Sequence, residues 1–552
     1  MSVADDRIVT PSRRSLPGGL ALLALFAGSV ALVRPYGNFP LNDDWNFAMA
    51  AWHFAENLEF RFSRLTGMSL KLQVLWGALW TWLFGRSFEV LRASTLFLSA
   101  ATLLLFWKWT GELGWRGPVR MLIAASLLAN PIFFWSSMTF MTQVPFLFCS
   151  MLGLYSTWKA YREEKIGWGV AAAVAVLAAA LIRQTGIAVA LPGLLLPWLD
   201  RREGANRRLS LPFAAACVLF AALYAGTDLF DGYPGQIAVH YEAYRGERGW
   251  IQALIVPFHH FGTNVQYGAL FALPLTAGLL LTRMRPDRRW VAVSLLLSSV
   301  PVAVGSWQIA RGNPFPYGTG GSILQNIGLG VMTLRDVYFL GYDYPTHLGR
   351  FGSIVATALA VLAGAFLLGR AVRGWFESAT APLGAALAVR LGLLHSAAAT
   401  AILIPSAIYF DRYALDSLWC IPLWAPFLIR WSRPVRVAVA AVLVLLLGFS
   451  IAATREYFAW NRARWEAFGW LTDRGVTLRE MDGGYEINQY LLGGWDGPER
   501  LDKRGFSVVD DEYVIAFNRE VRGYEAIHSI PYRGWISGAG AIHVLQRREV
   551  DR

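Results

Sequence analysis

Two adjacent carboxylates, Asp43 and Asp44, stand in the segment Pro40-Leu41-Asn42-Asp43-Asp44-Trp45-Asn46-Phe47-Ala48, just after a first apolar run. Carboxylates beside a membrane boundary are costly unless they are solvated, paired or in use. A chemical reading is general-base work, in which a carboxylate takes the proton of an attacking hydroxyl. A local reading is helix capping, for which Asp is well suited. Position alone leaves both open.

Cations complete the set. Arg183 sits in Arg183-Gln184-Thr185-Gly186, a turn between apolar runs, and an arginine there needs an anionic partner. A bound phosphate is the favoured partner, with Asp43 or Asp44 the other. In Phe410-Asp411-Arg412-Tyr413, Arg412 is either the structural mate of Asp411, the favoured reading, or a ligand for a substrate anion. Lys71 opens an uncharged stretch and reads locally as an interfacial lysine among lipid headgroups. His259-His260 and His347 are expected in outer loops without ligand spacing, which favours surface or substrate-contact roles over metal binding. Cys149, Cys217 and Cys420 lie in apolar runs without CxxC spacing and read as small buried hydrophobes.

The elements that must position these residues follow from composition. The chain has 552 residues, of which 55% are hydrophobic and only 16% charged. Soluble chains carry about 25% charge, so a polytopic α-helical membrane protein is expected. Thirteen spans are expected at 16–33, 88–107, 121–134, 144–158, 168–182, 187–199, 211–226, 265–281, 290–305, 351–369, 383–408, 414–429 and 435–451. The net charge of +12 gathers in short clusters between apolar runs, the pattern of cytoplasmic loops and not of a nucleic-acid partner.

Two readings fix the orientation. The stretch 72–84 is short and carries Trp76, Trp80 and Trp82, so it is expected to lie on the outer face without crossing. The stretch 168–199 has basic flanks on both sides, so it is expected to be a hairpin with Arg183 at its outer turn. Every remaining basic cluster then falls inside, with the N-terminus cytoplasmic and the C-terminus outside. Arg13-Arg14 before an apolar run reads as an uncleaved first helix. Residues 1–453 form the expected membrane domain, with outer loops 34–87, 227–264 and 306–350. Residues 454–552 form an expected outer α/β domain: an amphipathic helix at 457–471, then strands at 507–509, 513–517 and 541–545 separated by Gly483-Gly484, Gly493-Gly494 and Gly538-Ala539-Gly540.

No P-loop or Gly-rich strand-turn-helix is present, and no cytoplasmic loop is long enough to fold into a domain. A transporter or flippase for a lipid-linked saccharide is the alternative class. It calls for charges deep in several spans or an internal repeat, and neither is evident. A non-catalytic assembly factor, with Asp43 and Asp44 merely capping a helix, is the third.

The acidic pair followed by an aromatic and a small residue resembles the signature of the GT-C glycosyltransferases. The closer resemblance is to the branch of protein O-mannosyltransferases and lipid A aminoarabinose transferases. It continues through Leu83-Phe84-Gly85, Phe88-Glu89-Val90-Leu91-Arg92, Asn130-Pro131, Phe140-Met141-Thr142-Gln143-Val144-Pro145 and the Arg183 turn. It covers roughly the first 200 residues, and beyond them only topology. The resemblance implies a GT-C-like bundle in the inner (plasma) membrane, moving a sugar from a polyprenyl-phosphate donor to a glycan, lipid or protein acceptor at the outer face. A chain without a cytoplasmic nucleotide fold agrees, because its activated sugar must arrive through the membrane. By motif position Asp43 matches the catalytic aspartate and Asp44 its acidic neighbour, as support or metal ligand. Lys71 matches a basic residue on the lipid phosphate, and Arg183 and Arg412 are further candidates for the substrate anion. The chain departs from many relatives at Gln143, where an acidic residue is common. A neutral amide there contacts substrate but cannot bind a divalent cation as a carboxylate does, so a two-carboxylate metal site is doubtful and metal dependence stays unassigned.

Overall fold

The computed structural model describes residues 16–63, 65–199, 206–226, 249–282, 288–316, 322–403, 409–495 and 508–548. The first half is helical: α1 (Leu16–Val33), α2 (Asp44–Asn57), α3 (Lys71–Phe84), α4 (Phe88–Glu112), α5 (Gly117–Leu128), α6 (Pro131–Ser136), α7 (Gln143–Glu163) and α8 (Ile166–Ile182). After a short 3-10 turn come α9 (Ala190–Leu199), α10 (Leu211–Gly226), α11 (Gly249–Phe271), α12 (Leu273–Leu280) and α13 (Arg288–Ala310). A hairpin of β1 (Leu324–Gln325) and β2 (Gly328–Leu329) precedes α14 (Arg335–Tyr338), α15 (Gly349–Glu377), α16 (Leu383–Leu403), α17 (Asp411–Leu418) and α18 (Ile421–Trp424). The long α19 (Arg433–Thr472) leads to β3 (Met481–Asp482), α20 (Tyr485–Asn488), β4 (Tyr513–Ala516), β5 (Tyr524–Arg533) and β6 (Ala539–Arg547).

The described parts of the expected spans lie largely in helical segments; residues 404–408 of the expected span 383–408 lie outside the described residues. Among the described residues, six helices are long and apolar enough to cross a membrane: Phe88–Glu112, Arg207–Tyr224, Ala292–Ala310, Gly349–Thr380, Leu383–Leu403 and Arg433–Thr472. Local chemistry explains why several others are broken. Asn130 accepts from the amides of Ile132 and Phe133 and Pro131 opens the next helix, so the apolar run 121–134 becomes α5 and α6. The run 414–429 is likewise divided among α17, α18 and a 3-10 turn. At Arg183 the backbone is extended, and Gly186 folds back against α8, where a Cβ would come within 2.4 Å of the Ala180 nitrogen.

Two expected loops are partly helical. Residues 249–264 belong to α11, and residues 306–310 continue α13; 227–248 and 317–321 lie outside the described residues. His259 and His260 are therefore buried helical residues and not loop residues, because the helix begins well before the apolar run that marked it. The stretch expected on the outer face is α3, which packs on α2 and leaves Leu75, Leu79, Trp82 and Leu83 exposed. The three cysteines are free thiols; Cys420 is buried, while Cys149 and Cys217 are half-buried.

α19 runs unbroken for 40 residues through position 453, so one helix links the last apolar span to the C-terminal sheet. That sheet has the order β3-β4-β6-β5, parallel between β3 and β4 and antiparallel elsewhere. Strands expected at 513–517 and 541–545 are β4 and β6. Ser507 lies outside the described residues, and Val508 and Val509 are not in a strand. β5 alternates inward and exposed positions along its length, with Ile527 and Pro531 on the exposed side, and a bulge between Ala526 and His528 shifts its register. The sheet packs on α19 around buried Trp460, whose ring is 5.0 Å from Phe517 and 5.2 Å from Tyr457. Removing so large a buried ring costs about 3–5 kcal/mol.

Candidate active site

The loop between α1 and α2 is held by groups from distant parts of the chain. Arg92 of α4 donates to the carbonyls of Pro35, Gly37 and Phe39 at 2.8, 3.1 and 3.2 Å. Asn42 adopts a left-handed conformation, and its amide donates to Glu486 Oε1 at 3.1 Å. Glu486 is fully buried and also accepts from Thr333 Oγ1 and from Arg464 Nη1 at 2.8 Å. Such a buried carboxylate is tolerable because every contact to it is a donor or a cation.

The two aspartates part company at this point. Asp44 is buried and takes the amides of Leu41 at 2.6 Å and Phe140 at 3.4 Å, tying the start of α2 to the turn before α7. Burial pushes its carboxyl up to about 8, against the pull of the Leu41 amide and the Arg92 charge, so Asp44 is a neutral acid at pH 7. Asp43 occupies the N-cap position of α2 but makes no cap bond with its side chain. Its carboxylate turns the other way. Oδ2 accepts from Arg412 Nη2 at 2.7 Å, and Oδ1 accepts from the Tyr485 hydroxyl at 2.6 Å. The Asp43 side chain keeps 25% of its surface exposed while that of Arg412 keeps 3%.

Arg412 is thus not the mate of Asp411, as its sequence neighbourhood suggested. Asp411 instead accepts from the amides of Ile323 and Leu324 at 2.8 and 2.5 Å, and the Arg412 guanidinium reaches across to Asp43. Arg183 also has a different partner from those expected. It pairs with Asp416 at 2.6 Å, with both side chains only 4% exposed, so neither Asp43 nor Asp44 neutralises it. Both pairings run through α17, which places Arg412 and Asp416 one turn apart. The Tyr413 ring lies between the two arginines, 5.0 Å from the Arg183 guanidinium and 5.9 Å from that of Arg412.

Lys71 stands over the rings of Phe60 and Phe62 at 4.6 and 4.4 Å. Its backbone neighbour Leu70 donates to Ile182 O at 3.1 Å, so the start of α3 is fastened beside the Arg183 turn. Gln143, the first residue of α7, is fully buried, and both polar atoms of its amide lack a protein hydrogen-bond partner. One turn further along, Phe146 packs against Arg183 at 5.4 Å. Asp43, Arg412, Arg183 and Gln143 therefore form one connected row, and Lys71 is attached to it through backbone. They do not line the cavity of about 530 Å³ that opens between the ends of α13 and α15; Asn313, Asn326, Tyr344, His347 and Arg350 line that one.

Three contributors escaped the sequence reading: Tyr485, Glu486 and Asp416. The signal for the first two was Gly483-Gly484, read as punctuation. Gly484 has φ +85°, and a Cβ there would press within 2.8 Å of Leu334, so this glycine lets the chain turn Tyr485 and Glu486 toward the first loop. Asp416 looked like one more residue of an apolar run.

The donor set does not suit a divalent metal. Both oxygens of Asp43 are engaged by Arg412 and Tyr485, those of Asp44 accept from backbone amides, and Gln143 is neutral. Among the described residues, no three of His, Cys, Asp and Glu come together as candidate ligands.

No family model matches this chain, and no curated protein does. Among solved structures it is similar to ArnT from Cupriavidus metallidurans, in the apo state and bound to undecaprenyl phosphate. Each match has 15% identity and a TM-score of 0.41, covering 95% and 96% of this chain and 98% and 99% of the other. It is also similar to the archaeal oligosaccharyltransferase AglB from Archaeoglobus fulgidus in complex with an inhibitory peptide and a dolichol-phosphate. That match has 14% identity and a TM-score of 0.43, over 86% of this chain and 61% of that one. Likeness at this level carries no argument about activity, which rests on the site's own geometry and residues.

Proposed function

We propose that this chain is a membrane glycosyltransferase that moves a sugar from a polyprenyl-phosphate donor to an acceptor hydroxyl at the extracytoplasmic face. The observation that carries the reading is the placement of Asp43, a partly exposed carboxylate fixed between a buried arginine and a tyrosine hydroxyl. The first-loop resemblance to GT-C enzymes points the same way.

In this reading Asp43 is the general base. The acceptor oxygen attacks the anomeric carbon, its proton passes to Asp43, and the bond from that carbon to the phosphate oxygen breaks with the electron pair leaving on the phosphate. A single displacement of this kind inverts the anomeric configuration. The departing lipid phosphate gains charge and needs a cation in place beforehand. Arg412 is the residue for that role, since its planar guanidinium can face a phosphate while still holding Asp43. Arg183, already neutralised by Asp416, orients α17 and so acts on Arg412 from behind. Lys71 is placed to meet the phosphate where the donor enters from the bilayer. Gln143 offers a buried amide with unspent hydrogen-bonding capacity to a sugar hydroxyl. Asp44, as a neutral acid, positions the loop and does not share the base's work.

The proposed topology has thirteen crossings, a cytoplasmic N-terminus and an outer C-terminal domain, which brings Tyr485 to the same face as Asp43. The test is a transfer assay with purified protein, a panel of polyprenyl-phosphate sugars, and glycan, lipid and protein acceptors. Transfer from at least one lipid-linked donor supports the reading. Transfer only from soluble nucleotide sugars contradicts it.

A further inference from the structure

Buried Arg412, Arg183 and Arg464 each have a carboxylate partner, whereas buried Arg92 donates to backbone carbonyls. A different arrangement occurs where α1 ends against α19. Arg34, Arg455 and Arg462 gather there, and among the described residues none of the three forms an ion pair. Arg455 Nη1 donates to Leu32 O at 2.6 Å, and Arg462 Nη1 donates to Arg34 O at 3.2 Å and Tyr36 O at 3.4 Å. The first bond caps a carbonyl in the last turn of α1, a favourable use of a cation at a helix C-terminus, and the other two hold the turn that follows it. Two guanidiniums suffice for that. The third, Arg34, is exposed on a left-handed backbone, and with Arg455 it adds repulsion to the burial that lowers the Arg462 pKa. Three acids stand near by: Glu89 accepts from the Gly37 amide at 2.6 Å, Glu456 accepts from the Ile536 and Ser537 amides, and Glu466, one turn on from Arg462, is exposed; among the described residues none of them pairs with these arginines.

The surroundings show what would neutralise this excess. Below the cluster, the apolar face of α1 is open at Leu25 and Leu32, which are 38% and 49% exposed. Arg455 follows shortly after the apolar stretch of α19, one of the helices able to cross a membrane. Beside the arginines stand two half-exposed aromatics, Tyr36 under Arg462 at 4.3 Å and Trp535 under Arg455 at 4.5 Å. Exposed leucines, then cations, then amphipathic rings is the profile of a lipid molecule from chain to headgroup. The cluster is built on α1, α19 and the turn after β5, elements other than those carrying Arg412 and Arg183.

We infer that Arg34, Arg455 and Arg462 form a binding site for the phosphate of a membrane lipid, separate from the donor site proposed above and independent of that reading. The bound phosphate would also steady the first loop, because Arg92 clamps residues 35–39 next in line and Asp43 follows.

The test is native mass spectrometry of the full chain released from detergent micelles, titrated with phosphatidylglycerol and, separately, with inorganic phosphate and with an uncharged diacylglycerol. One phosphatidylglycerol should be retained per chain, with neither inorganic phosphate nor diacylglycerol displacing it. The double variant Arg455→Gln/Arg462→Gln should weaken retention about thirtyfold and Arg34→Gln about fivefold, on the scale of one headgroup contact per arginine. Arg34→Gln removes no hydrogen bond of its side chain, so its folding is safe and its result stands if the double variant fails to fold. Equal retention by Arg34→Gln and the parent overturns the proposal. So does displacement by inorganic phosphate, which reveals a soluble-anion site, or by diacylglycerol, which reveals an apolar groove alone.

Discussion

Arg412 and Asp43 are 369 positions apart in sequence and 2.7 Å apart in the fold. The contact joins the start of α2 to α17, and Tyr485 closes the same carboxylate from the C-terminal segment. Asp43 is therefore oriented by two parts of the chain that lie 369 and 442 positions further along it.

The hydroxyl of Tyr485 should matter more for turnover than for stability. Tyr485→Phe removes one hydrogen bond to a charged acceptor, worth about 1.5–3 kcal/mol, while leaving the ring. Turnover should fall by about tenfold to a hundredfold, with the apparent donor affinity unchanged. Steady-state kinetics of the purified variant check this.

The Arg183–Asp416 pair should behave as structure. Breaking a buried pair by removing one partner costs about 3–5 kcal/mol, so Arg183→Ala and Asp416→Ala should each lower the melting temperature sharply. Removing both should cost less than the two losses added together. A double-mutant cycle by thermal melting reads this directly. Additive losses would mean that Arg183 has another anionic partner.

Asp44 gives a pH dependence of stability. Its folded carboxyl stays protonated up to about 8, whereas the unfolded group ionises near 3.8. Between those values the folded state holds the extra proton, so rising pH costs stability, at most about 1.4 kcal/mol per pH unit. The cost stops growing above pH 8. Asp44→Asn abolishes the titration, so its melting temperature relative to the parent should climb from pH 5 to pH 8 and then level off. A flat difference across that range would show that Asp44 is ionised in the fold.

Much of this architecture was legible in the sequence, for physical reasons that also explain the failures. Apolar runs of sufficient length must be helical in a membrane, so the described apolar runs lie largely in helices, and the Asp43-Asp44 and Arg183 positions stood out as charges with nowhere to hide. Partner choice was not legible. Arg412 next to Asp411 looked paired because sequence shows only local neighbours, yet the Ile323 and Leu324 amides had already engaged that aspartate. The same blindness to long-range contact hid Asp416, Tyr485 and Glu486. The start of α11 was missed because Pro257 and the two histidines interrupt an apolar stretch that the helix nonetheless runs through, which left His259 and His260 in an imagined loop.

The general-base role of Asp43 is the claim on which the mechanism turns. Asp43→Asn keeps an oxygen for Arg412 and the size of the side chain but cannot take a proton. Sugar transfer from a lipid-phosphate donor by this purified variant, compared with the parent at equal melting temperature, is the direct measurement. The account predicts a loss of about a hundredfold to ten-thousandfold with donor binding retained. Transfer at the parent's rate would contradict it.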